Sequence, residues 1–253
     1  MPIPKEWDLS GKSIILTTGS RGWGPIIADG LLEAGANLVL VGHNQHILTL
    51  AKETTKKHGN RISTIISDLT SPKSIHKAFD EAIDLLGEID ALVNDSQVEF
   101  SKPFLDITDK EFDAVMNRNV KSVFFCCQEI VRHMKTTGKG HIVNFCSVLA
   151  ERGVANETVY SSSMAAIEQI TRSLAIELAK TGINVNGIGT GWYTIQEIPL
   201  EEQMQDPLVR YLPSRRLGRP EEVLPLLVLL CSEGSSYLNG QTIFVDGGSM
   251  THA

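Results

Sequence analysis

Cysteine is scarce in this sequence: there are only four in 253 residues, and no two of them form a C-x-x-C pair. Cys126, Cys127, Cys146 and Cys231 lie in apolar segments, which is typical of reduced core residues and not of a disulfide framework. The first residues, MPIPKEWDLSGK, lack the apolar core of a secretory signal, and no apolar run is long enough to cross a bilayer. These absences predict a cytoplasmic protein without a membrane segment.

Blocks of positive charge are also missing. The formal net charge is −7 and the basic residues are scattered, which argues against nucleic acid or an anionic membrane as the main partner. The seven histidines show no metal-site spacing; His43 and His46 share a segment without neighbouring cysteine or carboxylate ligands, so no metal is expected. A hydrophobic content of 42% with 21% charged residues is that of an ordinary globular protein.

Short apolar runs alternate with helical patterns along the whole chain. The runs predicted as strands are Ser13 to Thr17, Asn37 to Val41, Arg61 to Ile66, Ala91 to Asn94, His141 to Phe145, Asn184 to Ile188 and Thr242 to Val245. Strands that are apolar throughout need helices on both faces, so the sequence predicts a doubly wound α/β fold with a parallel sheet. We interpret residues 1–253 as one domain, in which the stretch from about 192 to 220 is a lid or substrate loop.

A glycine-rich turn follows the first predicted strand, with the sequence TGSRGWG from Thr18 to Gly24. Glycines between a strand and a helix let the backbone approach a diphosphate, which then rests on the free N–H groups of the helix N-terminus. A turn of this kind is weak support by itself, because many such matches are plain tight turns. Its position after the first strand favours a nucleotide site.

A serine and a tyrosine stand where a strand end and a helix start can meet. The apolar run from His141 ends in Phe145-Cys146-Ser147, and Tyr160 begins the next helical pattern. Both side chains can donate a hydrogen bond to a carbonyl oxygen, and a phenol can also transfer a proton. The alternative is that Tyr160 packs on a loop and Ser147 merely ends a strand.

Several of these segments resemble the short-chain dehydrogenase/reductase family, in the same order over nearly the whole chain. The matching segments are GKSIILTTGSRGWG, SDLT, ALVNDSQV, RNVKSVFF, HIVNFCS, RLGRPEEV and YLNGQTIFVDGG. The resemblance implies a Rossmann-type sheet of about seven strands and hydride transfer between a nicotinamide cofactor and a carbonyl or alcohol. It also implies that Tyr160 is the acid/base, that Ser147 orients the carbonyl and that Asn119 holds a relay water.

The resemblance implies NAD or NADP as cofactor. The residues expected to bind it are Gly19, Ser20, Arg21, Gly22, Gly24, His43, Asp68, Asn94, Tyr160, Gly191 and Thr194. NADP is slightly favoured, because the second strand ends without the carboxylate that usually holds the ribose diol of NAD, and Arg21 could meet a 2′-phosphate. Arg21 can equally be a solvated loop residue.

Four positions depart from the family pattern. Thr18 replaces a glycine of the turn, Gln97 replaces a glycine after the fourth strand, and Thr190 replaces a proline. The largest departure is Met164, where the family has a lysine one turn after the tyrosine; that lysine holds the nicotinamide ribose and lowers the tyrosine pKa. A methionine on a helix face is ordinarily gap-filling core. Two hypotheses therefore stay open: an oxidoreductase, impaired or not, and an inactive binding protein on the same scaffold.

The substrate region is the least informative part of the sequence. By analogy with the family it would be lined by residues after Ser147 and by the start of the lid, namely Val148, Leu149, Glu151, Arg152, Val154, Trp192 and Tyr193. The resemblance also implies a homo-oligomer, a tetramer or a dimer. The sequence does not identify the substrate.

Overall fold

A computed structural model describes residues 7–19 and 22–251. These residues form a seven-stranded parallel sheet with the strand order β3-β2-β1-β4-β5-β6-β7. The strands are β1 (Ser13–Thr18), β2 (Asn37–Gly42), β3 (Ile62–Ile66), β4 (Ala91–Asp95), β5 (Gly140–Ser147), β6 (Ile183–Thr190) and β7 (Thr242–Val245). The doubly wound α/β fold predicted from the alternating pattern is confirmed.

Helices cover both faces of the sheet. They are α1 (Gly24–Glu33), α2 (Gln45–Thr54), α3 (Pro72–Leu86), α4 (Asp109–Met116), α5 (Ser122–Thr137), α6 (Thr158–Leu178), α7 (Leu200–Gln203), α8 (Pro207–Tyr211) and α9 (Leu224–Leu230). Alternate residues of one strand enter different cores: Ile15 packs with α3, α5 and α6, whereas Ile14 packs with α1, α2 and α9. This two-sided burial explains why the strands are apolar throughout.

The strand order fixes where a ligand can bind. The chain winds outward from β1 in one direction through β2 and β3, and from β4 in the other direction through β5, β6 and β7. In such sheets, ligands bind beyond the carboxyl ends of the strands at the point where the winding reverses. Here that point lies between β1 and β4, beside the glycine-rich turn.

Five strands continue further toward this edge than the sequence predicted, and the longest extensions, of two residues each, are those of β5 and β6. β5 continues to Ser147 and β6 continues to Thr190, with these two residues paired across the sheet. The hydroxyl of Thr190 donates to the carbonyl oxygen of Cys146 at 3.1 Å. Thr190 therefore continues the backbone hydrogen-bond ladder between β5 and β6. A proline at this position has no backbone N–H to donate to that ladder.

The predicted lid contains regular structure. It includes the short helices α7 and α8, and Tyr193 forms an isolated parallel bridge with Gly218. The Tyr193 hydroxyl also donates to the carbonyl oxygen of Val245 at 2.6 Å. These contacts attach both ends of the lid to the edge of the sheet.

All four cysteines are buried, and none of them forms a disulfide within the described residues. No helix within the described residues is both long and apolar enough to span a membrane. The described residues include one group with metal-ligand geometry, formed by Asp29, Glu33 and His58. The ammonium of Lys57 already lies 3.0 Å from Asp29 and 2.8 Å from Glu33, so the chain supplies its own cation there.

Candidate active site

Ser147 and Tyr160 line one cavity of about 480 Å³ at the carboxyl edge of the sheet. Ser147 is the last residue of β5, and Tyr160 lies in the first turn of α6. Both residues are nearly buried, with 6% and 5% of their surfaces exposed. The Ser147 hydroxyl oxygen accepts a hydrogen bond from the Leu149 N–H at 3.2 Å, which leaves its O–H able to donate to a ligand.

Asn119 lies in a π-helical turn, Asn117–Lys121, between α4 and α5. Its amide oxygen accepts from the Val98 N–H at 2.8 Å, and its amide nitrogen donates to the Val98 carbonyl at 3.0 Å and to the Ser163 hydroxyl at 2.9 Å. Ser163 in turn donates to the carbonyl oxygen of Tyr160 at 2.7 Å. The side chain thus ties the segment after β4 to the first turn of α6. We expect Asn119 to position Tyr160 through these hydrogen bonds.

Met164 is completely buried and belongs to the core between the sheet and α5 and α6. The prediction that this methionine fills core space is confirmed. The nearest cation on α6, Arg172, does not replace the missing lysine, because its guanidinium pairs with Glu168 and lies 3.6 Å from Glu151.

Thr18 fits into the turn because two glycines surround it. A Cβ atom on Gly24 would lie 2.4 Å from the Thr18 hydroxyl oxygen, and one on Gly42 would lie 2.9 Å from the Thr18 methyl carbon. Gly22 has a φ of +76°, which a side chain rarely tolerates. Ser20 and Arg21, both predicted to bind the cofactor, lie outside the described residues.

Gln97 lies where the family glycine would leave open space. The side chain is fully buried, and its amide nitrogen donates to the carbonyl oxygen of Phe145 in β5. Its amide oxygen has no hydrogen-bond partner among the described residues. The backbone of Ser96 and Gln97 packs directly on Gly19, since a Cβ there would lie 2.5 Å from the Gln97 carbonyl oxygen.

This contact makes Gly19 sensitive to substitution. In Gly19→Ala the new methyl group meets backbone atoms, which cannot rotate away, and we expect a loss of about 1–3 kcal/mol in the free energy of unfolding. Gly153→Ala is the matched control, because nothing lies within 4 Å of a Cβ at that position. Urea unfolding of both variants measures the difference, and equal stability would contradict the close approach.

Asn94 is buried within the sheet. Its amide nitrogen donates to the Asn144 side-chain oxygen at 2.9 Å, and its own oxygen accepts from the Thr17 hydroxyl at 3.4 Å. Asn144 donates onward to the Thr171 hydroxyl at 3.0 Å. We therefore expect Asn94 to hold the ends of β1, β4 and β5 in register below the cofactor cleft.

His43 and Asp68 follow β2 and β3, at the opposite end of the cleft from Tyr160. Burial, aided by the nearby Arg118 guanidinium, lowers the pKa of His43, so the imidazole is neutral at pH 7. Hydrogen bonds from the N–H and hydroxyl of Thr70 lower the pKa of Asp68, with a smaller contribution from Arg118. Arg118 was not singled out from the sequence, because only the fold brings it near these residues.

The N-terminus of α1 faces the same edge. The residue before the helix, Trp23, makes no side-chain capping bond, and the first turn contains no acidic residue. Free N–H groups without a carboxylate suit a diphosphate. The uncapped helix, the positive φ of Gly22 and the adjoining cavity fit a dinucleotide, while the buried Gln97 side chain fills space at the end of β5 through its bond to Phe145.

The cavity also has lining residues that the sequence did not identify: Trp23, Glu99, Glu157, Ile195 and Gln196. The Trp23 ring lies 5.0 Å from that of Tyr193 and 6.5 Å from that of Phe145. Trp23 lies between Gly22 and Gly24 of the glycine-rich turn, and the sequence analysis considered only the glycines. A large aromatic residue at this position was the feature that could have identified Trp23 as a cavity residue.

Part of the predicted substrate lining borders this cavity. Val148, Leu149, Trp192 and Tyr193 line the cavity, as do Gly191 and Thr194. Glu151, Arg152 and Val154, which were also predicted to line the substrate region, are not among the residues that line this cavity. The chain turns away after Leu149: Arg152 bonds to the Ser249 carbonyl and to the Tyr211 hydroxyl, and Glu151 faces Arg172.

Comparisons with known proteins agree with this architecture. The family model described as enoyl-(acyl carrier protein) reductase matches residues 18–250. Gluconate 5-dehydrogenase of Gluconobacter oxydans is 32% identical over 98% of each chain, and the 3-oxoacyl-(acyl-carrier-protein) reductase of Aquifex aeolicus is 34% identical over 96% of this chain and 99% of its own.

Solved structures match equally well. The gluconate 5-dehydrogenase of Burkholderia cenocepacia, in complex with NADP and tartrate, has a TM-score of 0.88 with 30% identity over 98% of both chains. NAD⁺-bound xylitol dehydrogenase has a TM-score of 0.87 with 26% identity, covering 95% of this chain and 99% of its own. With the parallel sheet and the Ser147–Tyr160 cavity, these matches show that the chain belongs to the short-chain dehydrogenase/reductase family of NAD(P)-dependent oxidoreductases.

Proposed function

We propose that the protein interconverts a carbonyl compound and an alcohol by hydride exchange with a nicotinamide cofactor. The observation that carries this proposal is that Ser147 and Tyr160 line the same cavity at the carboxyl edge of the sheet. Family membership supports it, since the relatives named above are dehydrogenases and reductases. They give no support to the alternative of an inactive binding protein.

In the reductive direction, the cofactor supplies the hydride. The Ser147 hydroxyl donates a hydrogen bond to the carbonyl oxygen of the substrate and fixes its orientation. The Tyr160 phenol donates its proton to the same oxygen as negative charge develops there. In the oxidative direction, Tyr160 takes the proton back. Asn119 holds the first turn of α6 in place through Ser163.

We propose NADP as the preferred cofactor. β2 ends at Gly42 without a carboxylate, and the residue that follows it, His43, lies near the Arg118 guanidinium. This cation can meet a 2′-phosphate, although Asp68 offsets part of its charge. Gly19, Gly22 and Gly24 would border the diphosphate, with Gly191 and Thr194 nearer the nicotinamide.

A titration with NADPH and NADH tests both parts of the proposal. We expect quenching of tryptophan fluorescence, because Trp23 and Trp192 line the cavity, with a lower Kd for NADPH. Arg118→Gln should remove the preference for NADPH and leave the Kd for NADH within about twofold, because the phosphate contact is charge-dependent. Lack of binding of both nucleotides at millimolar concentration would refute the oxidoreductase proposal.

We also propose a homo-oligomer, in which α5 and α6 of two copies pack together. The outer face of these two helices carries apolar side chains that remain partly exposed to solvent in a single chain. They include Phe124, Val131, Ile170 and Leu174. Light scattering should give two or four times the mass of one chain. Phe124→Glu should lower that mass, whereas Leu50→Glu on α2 should not; a monomeric parent protein would refute the proposal.

A further inference from the structure

The cavity around Tyr160 is acidic and aromatic. Glu99 and Glu157 contribute carboxylates, and the rings of Trp23, Trp192 and Tyr193 form its walls. No lysine, arginine or histidine is among the described residues that line it. An anionic substrate would therefore meet two like charges here, while the described lining offers it no counterion.

The two carboxylates lie on segments that the fold holds together. Glu99 follows β4 in the segment that Asn119 anchors through Val98, and Glu157 is the residue before α6. A backbone hydrogen bond from the Lys102 N–H to the Asn156 carbonyl, 2.8 Å long, joins these two segments. Both residues thus belong to joined segments at the rim of the cavity that Tyr160 lines.

Neither carboxylate is neutralised by the described part of the chain. No ion pair of Glu99 or Glu157 occurs there, and the neighbouring cations are engaged elsewhere. The Lys102 ammonium lies 2.8 and 2.9 Å from the two Glu111 oxygens, and the Arg152 guanidinium bonds to the Ser249 carbonyl and the Tyr211 hydroxyl. The negative charge of the rim is therefore available to a ligand.

We propose that this cavity selects a small cationic alcohol or ketone, such as an amino alcohol or a quaternary ammonium alcohol, over a sugar acid. An ammonium group is attracted both by carboxylates and by the faces of tryptophan and tyrosine rings. With the ammonium at the rim, the alcohol oxygen reaches inward to Ser147 and Tyr160. The proposal names the substrate class of the proposed oxidoreductase, and it is tested by binding without turnover.

The test compares three probes of known charge by tryptophan fluorescence and calorimetry, with and without NADP. Choline is the cation, 3,3-dimethylbutan-1-ol is its uncharged isostere, and gluconate is an anion. We expect choline to bind about tenfold or more tightly than the isostere, as a cation–π contact combined with partly screened carboxylates predicts. Gluconate should bind least, and the preference for choline should weaken as the salt concentration rises.

Charge-neutralising variants locate the effect. Glu99→Gln together with Glu157→Gln should bring the Kd of choline close to that of the isostere, whereas Glu53→Gln on the exposed side of α2 should leave the ratio unchanged. Equal binding of choline and the isostere, tighter binding of gluconate, or no binding of choline at 100 mM would overturn the proposal. If NADP fails to bind but the choline preference persists, the oxidoreductase proposal fails and the cation site stands.

Discussion

Tyr160→Phe should reduce hydride transfer about 10²–10⁴-fold, the contribution typical of a positioned general acid or base. The substitution removes only the hydroxyl group, and the ring that packs in the core is kept. Cofactor binding and the free energy of unfolding should change far less than the rate, by about the 0.5–1.5 kcal/mol of one hydrogen bond. The reason is that we propose Tyr160 as the group that exchanges a proton with the substrate oxygen, while Ser147 serves as a hydrogen-bond donor. The other phenol in the lining, that of Tyr193, already donates to the Val245 carbonyl.

The single-turnover rate is measured from the change in absorbance of the reduced nicotinamide. The substrates are a panel of ketones and alcohols that includes amino alcohols. Tyr237→Phe is the matched control, because Tyr237 is fully exposed and does not line the cavity. Ser147→Ala should give a smaller loss, which reflects orientation. An unchanged rate in Tyr160→Phe would show that the proton comes from another group, and Tyr160 would then be a packing residue.

Local patterns in the sequence were sufficient for the fold. The central strands β1, β2 and β4 are predominantly apolar runs that are buried along almost their whole length, as their own residues predict. The placement of Ser147 and Tyr160 beside one cavity also followed from order, since one ends a strand and the other begins the helix that crosses over it. The family resemblance then connected these separate local signals.

The failures have a different origin, because they depend on contacts between distant segments. That Gln97 crosses to the Phe145 carbonyl, and that Trp23 packs on Tyr193, depends on how β4, α1 and the lid meet. Glu151 and Arg152 were expected in the cavity because they follow Ser147 closely, but the backbone turns and directs them toward other partners. Residues close to Ser147 in sequence therefore line the same cavity only up to the point at which the backbone turns, which is after Leu149.

The departures from the family pattern also differ in kind. Thr18 is accommodated, because Gly24 and Gly42 leave room for its hydroxyl and methyl groups. Gln97 is only half accommodated, because one of its amide atoms is buried without a partner. A buried oxygen of this kind costs about 1–3 kcal/mol unless a donor reaches it. Among these departures, Gln97 is therefore the one that leaves a buried polar atom without a partner in the described part of the chain.

Met164→Lys should restore the cation of the family motif. We expect this change to favour ionisation of Tyr160 and to lower the stability of the fold. Residues four apart lie on one helix face, so the ammonium would lie one turn from Tyr160 and favour the phenolate. We expect the pH profile of alcohol oxidation to move down by about one unit or more, which is about tenfold in rate at neutral pH. Met164→Leu, which keeps the packing without a charge, should leave the profile where it is.

The opposing effect is on stability. Met164 has no exposed surface, so a lysine there buries an ammonium group, and we expect the free energy of unfolding to fall by about 3 kcal/mol relative to the leucine variant. Burial lowers the folded-state pKa of the lysine below its unfolded value of about 10.4, so the unfolded chain binds more protons between the two values. Stability should therefore recover as the pH rises through this window. NADP should also restore it at neutral pH, provided that the ammonium gains partners when the cofactor binds.

Urea unfolding at several pH values, with and without NADP, separates these effects. A variant that recovers stability with NADP and shifts the pH profile would show that only the cation was missing from the site. A variant that recovers stability with pH but not with NADP would show that Gln97 keeps the ammonium away from the cofactor. In that case Gln97→Gly, added to Met164→Lys, should produce the shift in the pH profile, because it removes the buried side chain that bonds to the Phe145 carbonyl near the end of β5.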